Sequence, residues 1–232
     1  MIFLGFDTSN YTTSIAALGS CGVKNIRSVL PVEEGKRGIR QSEGVFLHTK
    51  SIAELYKKLD IDFNDVCAVG VSVRPRSVDG SYMPVFLVGE AFAQGVAHTL
   101  GVPLMRFSHQ DGHIMAGIFS ESNEALMQGD FLSLHLSGGT TEILRTHFNG
   151  NGFDNEIIGA TKDISAGQFI DRTGVYLGMK FPCGKELDAL SLKTQDTIKL
   201  PICTDGAYMN FSGVETKIKG LIGSENNAVI AR

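Results

Sequence analysis

The stretch MIFLGFDTSN, residues 1–10, decides the fold, because an apolar run ends there at an acid and a short turn of small polar residues. Residues 2–8 are rich in side chains that favour strands, and Thr8, Ser9 and Asn10 favour a turn. The pattern predicts a strand, a tight turn and a returning strand at residues 12–18. A third strand is predicted at residues 24–30, before a charged, glycine-containing loop at residues 31–41.

The rest of the chain alternates helical and strand patterns in two cycles. The first cycle predicts a helix at residues 42–59, a strand at 66–73, a helix at 85–100, a strand at 103–107 and a helix that begins at Ser108. The second cycle predicts strands at residues 131–136, 141–146 and 156–158, and helices at 164–177 and 185–192. This recurring β-β-β-α order predicts an α/β fold of two similar lobes, residues 1–122 and 130–232. The second cycle is shorter, so we expect either a longer native protein or a shortened relative of one.

Composition narrows the class of protein. The chain has 232 residues, with 21 basic and 25 acidic side chains for a net charge of −4, and 43% of its residues are hydrophobic. These values are typical of a globular domain and argue against a strongly basic nucleic-acid binder. No apolar run reaches the roughly 18 residues of a membrane helix, and the N-terminus lacks the basic region of a signal peptide. We therefore expect a cytoplasmic protein without a membrane partner.

The four cysteines are Cys21, Cys67, Cys183 and Cys203, and none of them forms a CxxC pair. Cysteines without such spacing, in a chain with no export signal, predict free thiols in a reducing compartment. Neither a disulfide framework nor a zinc knuckle is expected.

His109 and His113 are the candidate metal ligands. Residues four apart share one face of a helix, at about 5–6 Å between Cβ atoms, so two imidazoles can reach one ion. Ser108 and Asp111 form the capping-box pattern that begins a helix just before the first histidine. Gln110 stands where a zinc-protease helix has its catalytic glutamate, so proteolysis lacks a base. Spacing alone leaves open a pair of ordinary helix histidines.

Two hydroxyl-rich turns are candidate ligand sites. Ser137-Gly138-Gly139-Thr140 joins two predicted strands, and consecutive glycines let backbone N–H groups converge on an anion such as phosphate. A plain hairpin turn explains the same residues. Asp7 follows the first strand, where a carboxylate can hold magnesium or a metal-bound water, although a hydrogen-bonded turn is the better explanation of these residues alone.

A further group combines Gly167, Asp171 and Gly184. Asp171 lies inside a predicted helix, where aspartate is a poor helix former, so it either binds a ribose or faces water. Arg74-Pro75-Arg76 follows a strand end, where α/β sheets place ligands, and predicts either an anion or RNA contact or a solvated loop.

Taken together, these motifs resemble the TsaD family, the tRNA threonylcarbamoyladenosine transferases once described as O-sialoglycoprotein endopeptidases. The resemblance covers almost the whole chain, in order. The matching segments are GFDTS (5–9), HQDGH (109–113), LSGGTT (136–141), SAGQFIDR (165–172), FPCG (181–184) and NFSGVETK (210–217). Six ordered motifs are far more specific than any one of them.

The resemblance implies a fold of the actin, sugar-kinase and Hsp70 class (ASKHA), with the metal helix in the first lobe, the nucleotide loops in the second, and an incomplete second lobe. It implies a divalent metal ion, iron or zinc, on His109 and His113, with magnesium as a companion of the nucleotide. It implies ATP or an adenylate as ligand, tRNA as acceptor, and a related ASKHA protein as a homodimer or heterodimer partner. The resemblance assigns no catalytic residue, and Asp7 is the candidate for that role. The implied nucleotide or substrate ligands are Thr8, Ser9, Leu136, Ser137, Gly138, Gly139, Thr140, Asp171, Gly184 and Asp188.

The chain also departs from the family pattern. Tyr11 replaces an acid near the reacting group, and Thr140 replaces the histidine of SGGHT. The loop at residues 74–84 is longer and more polar than the usual AGPG loop, and a later glycine-rich loop and a last metal-binding aspartate are absent. We therefore expect a divergent member.

Three functions remain open from the sequence. The first is a metal-dependent threonylcarbamoyl transferase that uses an adenylate and acts on adenosine beside the tRNA anticodon. The second is a non-catalytic paralogue that binds nucleotide or a family partner as a regulatory or scaffold subunit. The third, with the least support, is a metallo-endopeptidase.

Overall fold

The computed structural model describes residues 1–20, 22–31 and 39–232, and within them the chain forms two compact units. Unit 1 comprises Met1–Ala125 and Asn149–Phe153, and unit 2 comprises Leu126–Phe148 and Asp154–Arg232. Cys21 and most of the predicted loop at residues 31–41 lie outside the described residues. Cys67, Cys183 and Cys203 are free thiols, as predicted. In the described part of the chain, no helix combines the length and apolar character needed to cross a membrane.

Unit 1 is built on a five-stranded sheet in the order β3-β2-β1-β4-β5. The first three strands are antiparallel neighbours, whereas β4 and β5 run parallel to β1. The elements of unit 1 are β1 (Ile2–Asp7), β2 (Thr12–Gly19), β3 (Gly22–Val29), α1 (Gln41–Lys57), β4 (Val66–Arg74), α2 (Phe86–Leu100), β5 (Leu104–Ser108) and α3 (His109–Ser120). Every element predicted for the first cycle is present, with bounds within a few residues of those expected.

The core of unit 1 lies on the sheet face that α1 and α2 cover. Strand residues such as Leu4, Ile15 and Val69 are almost fully buried there. Helix α2 turns Gly89, Ala93 and Ala97 inward at intervals of four, and these small side chains let the helix approach the sheet closely. The helix ends at Gly101, whose φ of +67° is the left-handed conformation that glycine favours.

Unit 2 contains a three-stranded sheet in the order β6-β7-β8. Strands β6 and β7 are antiparallel, in a register that runs from Asp130 opposite His147 to Leu136 opposite Thr141. The elements of unit 2 are β6 (Asp130–Leu136), β7 (Thr141–Phe148), β8 (Phe153–Ala160), α4 (Ala166–Tyr176), α5 (Gly184–Ser191), β9 (Thr204–Asp205), β10 (Tyr208–Met209), α6 (Ser212–Leu221) and α7 (Asn227–Ala231). Strand β8 is longer than the predicted 156–158, and the β9–β10 pair and α6 are additions to the predicted order.

Helix α6 begins where a distant carboxylate caps it. Asp163 accepts hydrogen bonds from the backbone N–H groups of Phe211 and Ser212, at 2.9 and 3.0 Å. Burial raises the pKa of Asp163, but these hydrogen bonds lower it more, so the net pKa lies well below the ordinary value. The cap comes from almost fifty residues upstream, so no local pattern in the sequence indicates this contact.

Candidate functional site

Helix α3 presents the two candidate metal ligands in unit 1. The Ser108 hydroxyl accepts the N–H of Asp111, and the Asp111 carboxylate accepts the N–H of Ser108, which completes the predicted capping box. Asp111 also accepts the hydroxyl of Ser77 at 3.0 Å. These bonds fix the first turn of the helix. His109 begins the helix, and His113 lies one turn further along on the same face.

The two imidazoles face each other. The Nε2 atoms of His109 and His113 lie 2.9 Å apart, with ring centroids at 4.3 Å. Zinc binds imidazole nitrogen at about 2.0–2.1 Å, so two nitrogens at this separation are within reach of one ion. Among the described residues, no group of three or more His, Cys, Asp or Glu side chains gathers as a metal site. The described residues therefore bring two imidazole nitrogens, and no third side chain of these types, to this position.

Asp7 orients this pair. Its Oδ2 lies 2.8 Å from Nδ1 of His109, where an ionised carboxylate can only accept a hydrogen bond, and Nε2 is the ring nitrogen that faces His113. Burial raises the pKa of Asp7, but hydrogen bonding and the charge of His109, with hydrogen bonds from Ser72 and Ser9, lower it to about 2. Metal-binding histidines commonly have a carboxylate on the other ring nitrogen. The structure thus brings Asp7, His109 and His113 together, in a pairing that the sequence did not indicate.

Thr8 and Ser9, two predicted nucleotide ligands, lie at the end of β1. Thr8 is fully buried, and its hydroxyl donates to the carbonyl of Val85 at 2.8 Å and accepts the N–H of Gly89 at 3.1 Å. A Cβ at Gly89 would lie 2.8 Å from this hydroxyl, so the fit is close. The Thr8 side chain thus joins β1 to α2 with its hydroxyl occupied by these two bonds, and its role toward a nucleotide stays a prediction. Ser9 is also buried and donates its backbone N–H to Asp7.

The glycine turn of unit 2 is held by Ser137, whose backbone N–H donates to the carbonyl of Thr140 at 2.8 Å. The Ser137 hydroxyl accepts the N–H groups of Gly139 and Thr140. The carbonyl of Gly138 accepts the hydroxyl of Ser165, the residue that caps α4. The turn and the first turn of α4 are therefore joined as one rigid piece.

Gly167 makes this junction possible. A Cβ there would lie 2.5 Å from the carbonyl oxygen of Ser137 and 2.7 Å from the Cα of Gly138, which no real side chain tolerates. Across the described residues, no hydrogen-bond partner is found for the backbone N–H of Gly138 or Gly167. Both N–H groups remain as donors beside the same opening, a backbone arrangement that suits an anion.

A cavity of about 400 Å³ opens at this junction. Its lining includes five predicted ligands, namely Leu136, Ser137, Gly138, Asp171 and Gly184. Gly139, Thr140 and Asp188 do not line it. The other five lining residues are Ala166, Gly167, Ile170, Pro182 and Lys185, and of these only Gly167 was singled out from the sequence.

Asp171 shapes one wall of the cavity from α4. Its Oδ1 accepts the backbone N–H of Cys183 at 2.8 Å, which ties α4 to the beginning of α5. Nearby, a Cβ on Gly174 would lie 2.2 Å from the Cβ of Cys183, so the two helices approach closely. Within the described residues, Oδ2 of Asp171 has no hydrogen-bond partner, and it is free to accept a hydroxyl.

Comparison with known proteins shows which family the chain resembles. Residues 47–231 match the family model for tRNA N6-adenosine threonylcarbamoyltransferase, TsaD. The enzyme of that name from Ligilactobacillus salivarius (strain UCC118) is 31% identical over 225 residues, 93% of this chain and 62% of its own length. The one from Riemerella anatipestifer is 29% identical over 232 residues, 97% of this chain and 65% of its own length. The chain thus spans less than two thirds of these relatives.

A solved structure supports the fold class. The chain aligns with T. kodakarensis HypF at a TM-score of 0.51 and 14% sequence identity, over 99% of this chain and 37% of the other. At this identity the likeness concerns the fold alone. Together with the strand order of unit 1, it confirms the predicted α/β fold of the actin, sugar-kinase and Hsp70 class.

Proposed function

This chain belongs to the tRNA N6-adenosine threonylcarbamoyltransferase family, and on that premise we propose that it takes part in transfer of a threonylcarbamoyl group to adenosine of tRNA. The observation that carries the proposal is the family match over residues 47–231, which contains both the histidine pair and the glycine-turn cavity. We also propose a cytoplasmic location, where its tRNA acceptor would be met.

The cavity of unit 2 supports binding of the adenylate half of the substrate. The N–H groups of Gly138 and Gly167 are suited to phosphate oxygens, because backbone donors from the turn and from α4 can stabilise an anion without a side chain. The open Oδ2 of Asp171 is suited to a ribose hydroxyl. ATP and threonylcarbamoyl adenylate both offer these groups.

The histidine pair of unit 1 supports a divalent metal ion, iron or zinc. Asp7 would keep the proton of His109 on Nδ1 and hold its ring in place, and His113 would supply the second nitrogen. An ion bound there would supply Lewis-acid polarisation of the acyl carbonyl.

In the proposed reaction, the N6 amine of adenosine attacks the carbamoyl carbonyl carbon. A C–N bond forms, the C–O bond to the phosphate of the adenylate breaks, and AMP leaves with the electron pair. The proton lost from N6 passes to solvent. The backbone donors at the glycine turn would favour this step, because AMP gains negative charge as it leaves.

A second candidate function is a nucleotide-binding partner without transferase activity. The observation that favours it is Tyr11, which is 42% exposed after the turn that carries Asp7, where the family pattern has an acid. A non-catalytic member would keep the cavity of unit 2 and need neither that acid nor a complete transfer site. The endopeptidase alternative is not proposed, because Gln110 replaces the necessary base.

The test supplies the purified chain with threonylcarbamoyl adenylate, unmodified tRNA and zinc or iron, and measures threonylcarbamoyladenosine by mass spectrometry. Product that disappears in His109→Ala and His113→Ala but persists in His147→Ala supports the transferase. His147 is a suitable control because it is exposed and pairs with Asp130. No product, with AMP binding retained, supports the non-catalytic partner, and loss of both refutes both proposals.

A further inference from the structure

The cavity of unit 2 contains a charged side chain that the family motifs did not single out. Lys185 is the second residue of α5 and lines the cavity together with the glycine turn. Ser137, Asp171 and Lys185 are the lining residues whose side chains bear hydrogen-bonding groups, and Lys185 is the one cation. A lysine in the lining makes the cavity more favourable for anionic ligands.

The ammonium of Lys185 is available to a ligand. In the part of the chain that the structure describes, Lys185 forms no hydrogen bond and no ion pair with a side chain. Asp171, the one acid in the lining, directs Oδ1 to the backbone of Cys183, and no ion pair joins it to Lys185 in the described part of the chain. The cavity therefore contains a cation and an acid that do not neutralise each other by direct contact.

We infer that Lys185 is the phosphate-binding residue of this cavity and makes it selective for nucleotides over uncharged nucleosides. The inference rests on the proposed nucleotide site and deepens it. The ammonium would meet the phosphate from α5, while the N–H groups of Gly138 and Gly167 meet it from the turn and from α4. Asp171, with its free oxygen, would take the sugar hydroxyls.

Charge explains the selectivity. A phosphate near Asp171 alone would be repelled, whereas a phosphate beside the ammonium is attracted and forms charge-assisted hydrogen bonds. Adenosine offers the same sugar and base without the phosphate and gains nothing from the lysine. Because Lys185 is solvent-exposed, salt weakens the effect.

Calorimetric titration of AMP and adenosine into the full chain tests the inference. For Lys185→Gln we expect AMP affinity to fall about tenfold while adenosine affinity changes less than about twofold. Lys185→Arg keeps the charge and should retain most of the preference. The matched control is Lys193→Gln, which removes an exposed lysine from just beyond α5 and should leave both affinities unchanged.

The outcomes separate the inference from the proposed function. AMP binding that Lys185→Gln leaves intact, or that falls equally for AMP and adenosine, overturns the role of Lys185 while the nucleotide site stands. Absence of AMP binding to the wild-type chain, with unit 2 folded by circular dichroism, overturns both. A tenfold loss confined to AMP, which shrinks when the salt concentration rises from 0.05 to 0.5 M, supports the inference.

Discussion

The central strand of unit 1 and the first strand of unit 2 begin the same β-turn-β pattern in different surroundings. Strand β1 is hydrogen-bonded on both edges, to β2 and β4, and Leu4 on it is 2% exposed. Strand β6 lies at the edge of its described sheet, and Leu134 on it is 60% exposed. In both units the strand pattern specifies pairing with the next strand along the chain. Whether the side chains of that strand are buried depends on elements much further along the chain.

The turns after these strands differ in a way that bears on chemistry. After β1, Thr8 directs its hydroxyl inward to Val85 and Gly89, and Asp7 remains to contact His109. After β6, the glycines leave backbone N–H groups beside a cavity. The turn of unit 1 therefore presents a side chain, and the turn of unit 2 presents backbone N–H groups.

The largest expected effect comes from truncating the two leucines. Leu4→Ala removes a buried side chain and should lower the free energy of unfolding by about 2–5 kcal/mol. Leu134→Ala removes an exposed one and should change it by less than about 0.5 kcal/mol. Urea titration followed by circular dichroism measures both, and equal losses would break the comparison.

A second pair of variants tests the backbone role of unit 2. Gly167→Ala forces a Cβ against the carbonyl of Ser137, so we expect a loss of about 1–3 kcal/mol in stability and at least a tenfold loss of AMP affinity. Gly139→Ala adds a Cβ with no atom within 4 Å and should leave stability nearly unchanged. Equal behaviour of the two variants would show that the close approach at Gly167 does not shape the cavity.

The turn of unit 1 gives a third prediction. Thr8→Val keeps the shape but leaves the N–H of Gly89 without its acceptor, so we expect a loss of about 1–3 kcal/mol. Thr8→Ser keeps the hydroxyl and should retain most of the stability. Nucleotide affinity should not change in either variant when measured under conditions where both are folded. A selective loss of nucleotide affinity would instead support the predicted binding role of Thr8.

Acidification should affect unit 1 through a buried histidine. His48 is fully buried, with Nδ1 at 2.8 Å from the Thr13 hydroxyl, and burial lowers its pKa below the usual 6.5. The unfolded chain therefore binds a proton more readily than the folded chain as the pH falls below 6.5, so the contribution of His48 to stability is present above that pH and declines below it.

Urea titrations at pH 7.5 and 5.5 measure this effect. The wild-type midpoint should fall at the lower pH, and His48→Gln should fall less. A midpoint in wild type that does not respond to pH over this range would contradict the assignment of a neutral, buried His48.

Local patterns predicted most of the fold. The capping box at Ser108, the strand-favouring run of β1 and the i, i+4 histidines all act within a few residues, so the sequence displays them. Helix α6 was missed because Asp163 caps it from far upstream. Non-local contacts also decided the site: the Asp7–His109 bond joins residues 102 positions apart, and the burial of Thr8 depends on α2. Lys185 lines the cavity because α4 and α5 converge there. The periodicity of apolar residues in the sequence does not reveal how two helices converge.

The most direct test of the account is equilibrium dialysis of zinc against the wild-type chain and its histidine variants. We expect the wild-type chain to bind one zinc ion. The affinity for zinc should be at least about 100-fold weaker in His109→Ala and in His113→Ala, and unchanged in His147→Ala. Asp7→Asn should weaken binding by about 10- to 100-fold, because the second ring nitrogen loses its carboxylate. Zinc binding that survives the loss of either imidazole, or a wild-type chain that binds no zinc, would contradict the assignment of side-chain chemistry to unit 1.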